Sequence, residues 1–172
     1  MSGNNLTEQE IRAFVGSRAD YYFGKWRAAL EGSGKGTGFN WAAFFLSGLW
    51  LPYRKMYLAT GILYGIILLE STLEEVVFVG ILRKSESPPA LDRVVGIAVA
   101  IICGAFGNRW YLSHTRKGVA QLRVQSLPED SYLQALSKRG GTNIAASLGC
   151  FIIFLVAAFL IVYLLDLALG IP

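Results

Sequence analysis

The segment IAASLGCFIIFLVAAFLIVYLL, residues 144–165, contains 22 consecutive residues without a charged side chain. Because an α-helix rises about 1.5 Å per residue, a helix of this length covers a hydrocarbon core of roughly 30 Å. Soluble proteins rarely bury so long and so uniformly apolar a helix. The segment therefore predicts a transmembrane span at residues 144–166.

The composition of the whole chain agrees with a membrane protein. Of the 172 residues, 53% are hydrophobic and 16% are charged, whereas a soluble domain carries about a quarter charged residues. Two cysteines and five prolines exclude a disulfide-stabilised secreted scaffold and a collagen-like chain. The predicted fold class is an all-α integral membrane protein, with a cytoplasmic segment at residues 1–38 and a membrane domain at residues 39–172.

A second span is predicted at residues 91–112. Its central part, residues 94–107, carries no charge, and the charged residues Asp92, Arg93 and Arg109 lie near its two ends. Long arginine side chains reach the interface from such positions, and Trp110 and Tyr111 are typical of headgroup depth.

Residues 39–82 contain no apolar stretch of 18 residues, so loop charges decide the number of crossings. Residues 1–38 carry five Lys and Arg and residues 109–143 carry six, which places both in the cytoplasm by the positive-inside rule. Residues 39–82 then cross an odd number of times, most simply once. We expect a span over 53–69, or one extending to 82, with Arg54 and Lys55 reaching towards the cytoplasm. An interfacial or re-entrant helix over 39–52, which Pro52 ends or kinks, precedes it.

This topology has three transmembrane helices, a cytoplasmic N-terminus, a cytoplasmic loop over 113–143 and a C-terminus on the outer side. The loop is expected to continue the second span as a helix and to contain a short amphipathic helix over 132–138. Asp166 is expected to mark the outer boundary of the last span.

Residues 1–30 predict an amphipathic cytoplasmic helix and not a signal peptide, because charged residues interrupt every apolar run. Thr7 and Glu10 have the spacing of a capping box. One face is apolar at helical period: Ile11, Phe14, Val15, Ala19, Tyr22, Phe23, Trp26 and Leu30. We expect this face to pack on the rest of the protein or on the membrane, with a partner-binding helix as the alternative.

A glycine-rich linker is predicted at residues 31–38. The sequence GSGKGT, residues 32–37, is similar to part of a phosphate-binding loop. Ala29 stands where that loop needs its first glycine, and a helix precedes the segment where that loop needs a strand. We therefore interpret it as a linker.

Two motifs carry a resemblance to a known family. FNWAAFFLSGLWLPYRKMY (39–57) resembles the signature of an uncharacterised bacterial inner-membrane family, domain of unknown function 2628. GNRWYLSHTRKGVAQL (107–122) is similar to the second motif of that family and matches it at Asn108, Tyr111 and His114. The chain departs from the signature at Ser47-Gly48, where the family has Gly-Pro, and at Pro52, where it has Leu. The resemblance implies a small multi-pass protein of the bacterial inner membrane and implies no activity.

One set of polar and basic residues near the cytoplasmic boundary is a candidate site for an anionic headgroup or small ligand. The polar stripe of the second helix is alternatively a hydrogen-bonded interface with the leader or with residues 39–53. The candidate contacts are Arg54, Lys55, Asn108, Arg109, Tyr111, His114, Arg116 and Lys117.

Glu70, Glu74 and Glu75 are candidate ion-path carboxylates. They share one helix face, and carboxylates at membrane depth are costly and often functional. If the first span ends at Leu69, they form an exposed cluster at the outer surface, which we favour. If the helix continues to Leu82, they lie within the bilayer region.

Small residues at helical spacing predict close helix packing, within one chain or between chains. They are Gly61, Gly65, Gly96, Ala100, Gly104, Ala145 and Gly149.

The sequence predicts no catalytic constellation, no metal site and no cofactor. His114 is the single histidine, and no cysteine lies near it in sequence. The expected partners are a bilayer with anionic inner-leaflet lipids and either a second copy or another membrane protein; the charge of +4 is assigned to lipid and not to nucleic acid. Three functions are open: a non-enzymatic scaffold or accessory subunit, an oligomeric channel or transporter, and an anionic-lipid-binding protein.

Overall fold

The computed structural model describes residues 6–32, 36–84 and 88–169, and all secondary structure within these ranges is helical. The helices are α1 (Glu8–Val15), α2 (Ala19–Leu30), α3 (Trp41–Tyr53), α4 (Tyr57–Glu75), α5 (Pro89–Arg123), α6 (Glu129–Arg139) and α7 (Ile144–Leu169). Part of the predicted linker, residues 33–35, lies outside the described residues, as do residues 1–5, 85–87 and 170–172.

The leader forms two helices where the sequence predicted one. A 3-10 turn at Gly16–Arg18 separates α1 from α2, and Gly16 has a φ of 76°, which glycine adopts without steric cost. The capping box is confirmed: the Glu10 amide donates to the Thr7 hydroxyl and the Thr7 amide donates to the Glu10 carboxylate. The break keeps the apolar residues of both helices on one side of the chain.

The predicted apolar face of the leader is buried inside the protein. Ile11, Phe14 and Trp26 have no exposed surface, and Tyr22 is also buried. Helix α1 packs against α5 and α6, and α2 packs against α5. The sequence left three partners open for this face: the rest of the protein, the membrane and another protein. In the structure the face packs on the rest of the protein.

Helix α3 lies at the centre of the fold and packs against α4, α5 and α7. It is broken at Ser47, whose φ of 33° and ψ of −102° are not helical. Pro52 lies in the last turn of the helix, which ends at Tyr53, whereas the kink at Ser47 lies five residues before the proline. Aromatic side chains before the break are exposed, with Trp41 and Phe45 exposed by 63% and 73%.

The helix that contains the three glutamates does not end at Leu69. Helix α4 runs to Glu75 and continues as a π-helical segment, Val76–Ile81. The helix therefore continues through the carboxylates, and the position at which the first span ends along it stays a prediction.

Among the described residues, two helices are long and apolar enough to cross a membrane. One is α5, and the other lies in the stretch Glu129–Ala168, whose apolar part is α7. In α7 the side chains of the apolar window are not buried against the rest of the protein. Asn143 caps this helix, since its side chain accepts from the Ala146 amide at 2.9 Å.

Candidate functional site

A groove of about 660 Å³ lies between α4 and α5. Its floor is formed by Leu51 of α3 and by Met56, which are 1% and 4% exposed. Because α3 packs against both α4 and α5, it fixes the two walls relative to each other.

The walls of the groove are apolar over most of their length. Leu58, Ile62 and Ile66 follow one another at helical spacing on α4 and are each more than half exposed. Val99 and Ile102 of α5 line the opposite wall. The groove is therefore open along its side, and its apolar part runs about 14 Å along α4 at 1.5 Å per residue.

One end of the groove is polar and basic. Lys55 comes from the turn between α3 and α4, and Ser113, His114 and Lys117 come from one turn of α5. The Lys55 amide donates to the Pro52 carbonyl at 2.9 Å, which closes the turn. The Lys55 ammonium donates to the Lys138 carbonyl at 2.8 Å, which holds its charge at the mouth of the groove.

His114 lies at the boundary between the groove and the core. Its ring packs edge-on against Phe14 at 5.7 Å between centroids. Burial lowers the pKa of His114 below its usual 6.5, and the charges of Arg139 and Lys117 lower it further. The imidazole is therefore neutral at pH 7, and its Nε2 has no hydrogen-bond partner among the described residues.

Arg54 is buried behind the basic end of the groove and does not reach water as the sequence predicted. It is 4% exposed, and its guanidinium lies over the rings of Tyr22, Tyr111 and Tyr53 at 4.9, 5.0 and 5.6 Å. A desolvated cation over an aromatic ring gains about 2 kcal/mol. These three contacts, from α2, α3 and α5, offset part of the cost of burying the charge.

Asn108 has no exposed surface, and its hydrogen bonds connect several segments of the chain. Its amide nitrogen donates to the carbonyls of Thr37 and Gly38 at 3.1 Å, and its oxygen accepts from the Asn40 side chain at 2.9 Å. The Trp26 indole donates to the Asn108 carbonyl at 3.0 Å. Asn108 thus joins the leader, the start of α3 and α5, as the interface alternative predicted.

The structure brings together only part of the predicted headgroup set. Lys55, His114 and Lys117 line the groove. Arg54, Asn108 and Tyr111 are buried beside it, Arg109 is exposed outside it, and Arg116 donates to the Ala29 carbonyl at 3.3 Å.

The apolar walls and Ser113 were not predicted as parts of a site. Their signal in the sequence is the same apolar spacing that predicts a span, so the sequence alone gives no reason to assign them to a groove.

The three glutamates have different surroundings. Glu74 is 7% exposed and neither carboxylate oxygen has a hydrogen-bond partner among the described residues, whereas Glu70 and Glu75 are partly exposed. Their role as ion-path carboxylates stays a prediction.

Most of the predicted packing glycines make no close contact within the chain. A Cβ added at Gly61, Gly65, Gly96 or Gly149 would meet nothing within 4 Å, whereas one at Gly104 would lie 2.3 Å from the Phe39 ring. Ala145 is exposed and Ala100 is partly exposed. Contact between chains at these positions stays a prediction.

In the ranges that the structure describes, no group of three His, Cys, Asp or Glu side chains could hold a metal ion. The groove combines an apolar body with a cationic end.

The profile of the family described as "protein of unknown function (DUF2628)" matches residues 13–117, which include α2, α3, α4 and the walls of the groove. The chain belongs to this family. The resemblance stated for the two motifs is thereby confirmed. No curated protein and no solved structure matches the chain. The family assignment brings no activity with it, so the function of the groove is argued from its geometry.

Proposed function

We propose that the protein is a three-span bacterial inner-membrane protein that binds a lipid with an anionic headgroup in the groove between α4 and α5. The spans are assigned to α4, α5 and α7, with the N-terminus in the cytoplasm and the C-terminus on the outer side. The length and composition of α5 and α7 and the distribution of Lys and Arg support this topology.

The observation that carries the lipid proposal is the polarity of the groove. Lys55 and Lys117 lie at one end together with Ser113 and His114, and the rest of the lining is aliphatic or aromatic. A basic pocket between transmembrane helices on the cytoplasmic side is a typical site for acidic lipid headgroups. Charge complementarity therefore selects an anionic headgroup, and the apolar walls select acyl chains.

The dimensions of the groove agree with one leaflet. Its apolar part runs about 14 Å along α4, close to half of a hydrocarbon core of roughly 30 Å. The basic end lies at the cytoplasmic boundary of the assigned spans. A lipid of the inner leaflet can thus enter the groove from the bilayer between the exposed residues Leu58 and Ile62. Its headgroup stays at the level of the other inner-leaflet headgroups.

Two other functions from the sequence have less support. A scaffold that binds partners through the leader would need the apolar face that α5 and α6 already cover. An oligomeric channel would use Glu74, whose carboxylate is buried and unpartnered. For neither function do the described residues form a site comparable to the groove.

The test is the lipid content of the purified full-length protein. Native mass spectrometry of protein extracted in mild detergent should show a retained anionic phospholipid. The double variant Lys55→Ala with Lys117→Ala should retain at least tenfold less, since two charge-assisted contacts are lost. Arg18→Ala with Arg109→Ala is the matched control, because it removes the same charge from exposed positions outside the groove.

A second variant tests the apolar walls without changing charge. Ile62→Trp fills the groove from an exposed wall position and should also displace the lipid. If both variants retain as much anionic lipid as the matched control, the groove is not its binding site.

A further inference from the structure

Two donor atoms of Arg54 have no hydrogen-bond partner in the part of the chain that the structure describes. The residue is 4% exposed, yet its Nε and Nη1 have no hydrogen-bond partner among the described residues. The Tyr111 hydroxyl, whose ring Arg54 covers at 5.0 Å, also has none, although Tyr111 has no exposed surface. Buried polar groups are nearly always hydrogen-bonded, so several orphaned groups in one place indicate an absent partner.

The missing partner must accept hydrogen bonds and carry negative charge. The ion pairs of the described residues join Arg12, Arg27 and Arg123 to acidic residues, and none of them involves Arg54. Buried charges in proteins are paired or bind a ligand.

The elements packed around Arg54 supply no carboxylate in contact with it. Tyr22 comes from α2, Tyr53 from α3 and Tyr111 from α5. His114, which stacks on Tyr111 at 6.4 Å, is neutral at pH 7 for the reason given above. The nearest sequence neighbour, Lys55, adds a second positive charge.

We infer that Arg54 and the Tyr111 hydroxyl form a subsite for a phosphoryl oxyanion, directly behind the basic end of the groove. The source of the phosphoryl group is either the headgroup phosphate of the bound lipid, in which case the inference rests on the proposed function, or free phosphate. His114, which lines the groove and stacks on Tyr111, lies between the groove and this subsite.

The chemistry of the donors selects a phosphoryl group over a smaller anion. Each planar N–H fork of a guanidinium combines Nη2 with Nε or with Nη1, and such a fork matches two oxygens of a phosphate. The tyrosine hydroxyl can donate to a third oxygen. Chloride can accept several hydrogen bonds, but it offers a single centre, so the two N–H groups of a fork cannot each have an acceptor atom of their own.

The test uses the full-length protein in detergent with its lipid removed, and inorganic phosphate as the probe. Phosphate should raise the melting temperature of the wild type more than chloride does at equal ionic strength. Tyr111→Phe keeps the buried ring and loses only the hydroxyl, so it should fold and bind phosphate roughly tenfold more weakly. Tyr21→Phe, at a residue exposed by 43%, is the matched control and should behave as the wild type.

A second variant removes the fork and keeps the charge. Arg54→Lys should also weaken phosphate binding by at least roughly tenfold, because an ammonium cannot form the bidentate contact. If phosphate and chloride have equal effects on the wild type, or if Tyr111→Phe and Arg54→Lys bind phosphate as the wild type does, the subsite does not exist.

Vesicles of phosphatidylglycerol and of phosphatidylcholine distinguish the two sources. If the headgroup fills the subsite, phosphatidylglycerol abolishes the phosphate effect in the wild type, and Tyr111→Phe lowers lipid retention. If free phosphate is the ligand, the phosphate effect persists in both lipids. If the Lys55 and Lys117 double variant loses lipid but phosphate has no effect on the wild type, the groove still binds lipid and the inferred phosphoryl subsite does not exist.

Discussion

Glu10 joins the helices α1, α5 and α6, and its removal gives a sharp test of how the leader is held. The residue is 6% exposed. Arg123 of α5 donates to both of its oxygens at 2.8 and 2.6 Å, and the Tyr132 hydroxyl of α6 donates to Oε1 at 2.6 Å. Replacing Glu10 by Gln removes the charge and keeps the size of the side chain.

The pKa of Glu10 gives the magnitude. Burial alone would raise it, but the hydrogen bonds from Arg123, Tyr132 and Thr7 lower it from 4.5 to about 2. That difference corresponds to about 3 kcal/mol in favour of the folded state above pH 4.5. Arg123 is 31% exposed and can turn towards water, so we expect Glu10→Gln to cost about 2 kcal/mol.

Hydrogen–deuterium exchange of the α1 amides in detergent measures this cost, since it reports local opening. A loss of about 2 kcal/mol corresponds to roughly thirtyfold faster exchange. Glu8→Gln is the matched control: Glu8 pairs with Arg12, both side chains are more than half exposed, and the exchange should change by less than about threefold. Equal exchange in the two variants would refute the role of Glu10.

The same group predicts a pH dependence. Because the pKa of Glu10 is lower in the folded state than its usual 4.5, its contribution is fully present above pH 4.5 and is lost as the pH falls towards 2. After correction for intrinsic exchange, α1 of the wild type should open more readily in this range. Glu10→Gln should lack this part of the pH dependence.

Two further substitutions test the packing of the fold. Asn108→Leu removes the side-chain hydrogen bonds described above and should lower the free energy of unfolding by about 3 kcal/mol, which thermal unfolding in detergent measures; an unchanged melting temperature would contradict its connecting role. Gly140→Ala would place a Cβ 1.9 Å from the Phe14 carbonyl oxygen and should destabilise by at least about 2 kcal/mol, whereas Gly149→Ala, with open space around it, should change stability by less than about 0.5 kcal/mol.

Local patterns were sufficient to predict the long apolar helices and the leader. The uncharged run at residues 144–165 became α7, and the apolar period of the leader matches its buried face. These features depend on composition and on helical spacing, both of which are visible within one segment. The capping box of Thr7 and Glu10 was predicted for the same reason.

The positions of Arg54 and of the α4 terminus could not be predicted in this way. An arginine beside a span normally reaches the interface, but Arg54 is covered by Tyr22 and Tyr111, which are distant in sequence. The polar residues 70–75 indicated an exposed cluster beyond the first span, and the extension of the helix through them to Ile81 was left open. Both outcomes depend on neighbours that a local pattern does not contain.

The backbone conformation at Ser47 gives a physical reason for the glycine in the signature that this segment resembles. A φ of 33° is costly for a residue with a side chain and is accessible to glycine. The family has Gly-Pro where this chain has Ser47-Gly48. The glycine of the family signature thus coincides with the residue that requires its backbone freedom.

The contacts between the two family motifs separate their structural residues from those available for binding. Asn40 bonds to Asn108, and a Cβ added at Gly107 would lie only 2.9 Å from the Cβ of Ala43. These residues serve the interface between α3 and α5.

Lys55 and Lys117 lie outside this interface. They come from different motifs and lie at the same end of the groove, where Lys117 is exposed and Lys55 is half-buried and donates to the Lys138 carbonyl. Two positive charges placed together repel each other, and nothing in the packing of α3 on α5 requires them. A negatively charged ligand at this end of the groove accounts for both, which is why their joint removal is the decisive test of function.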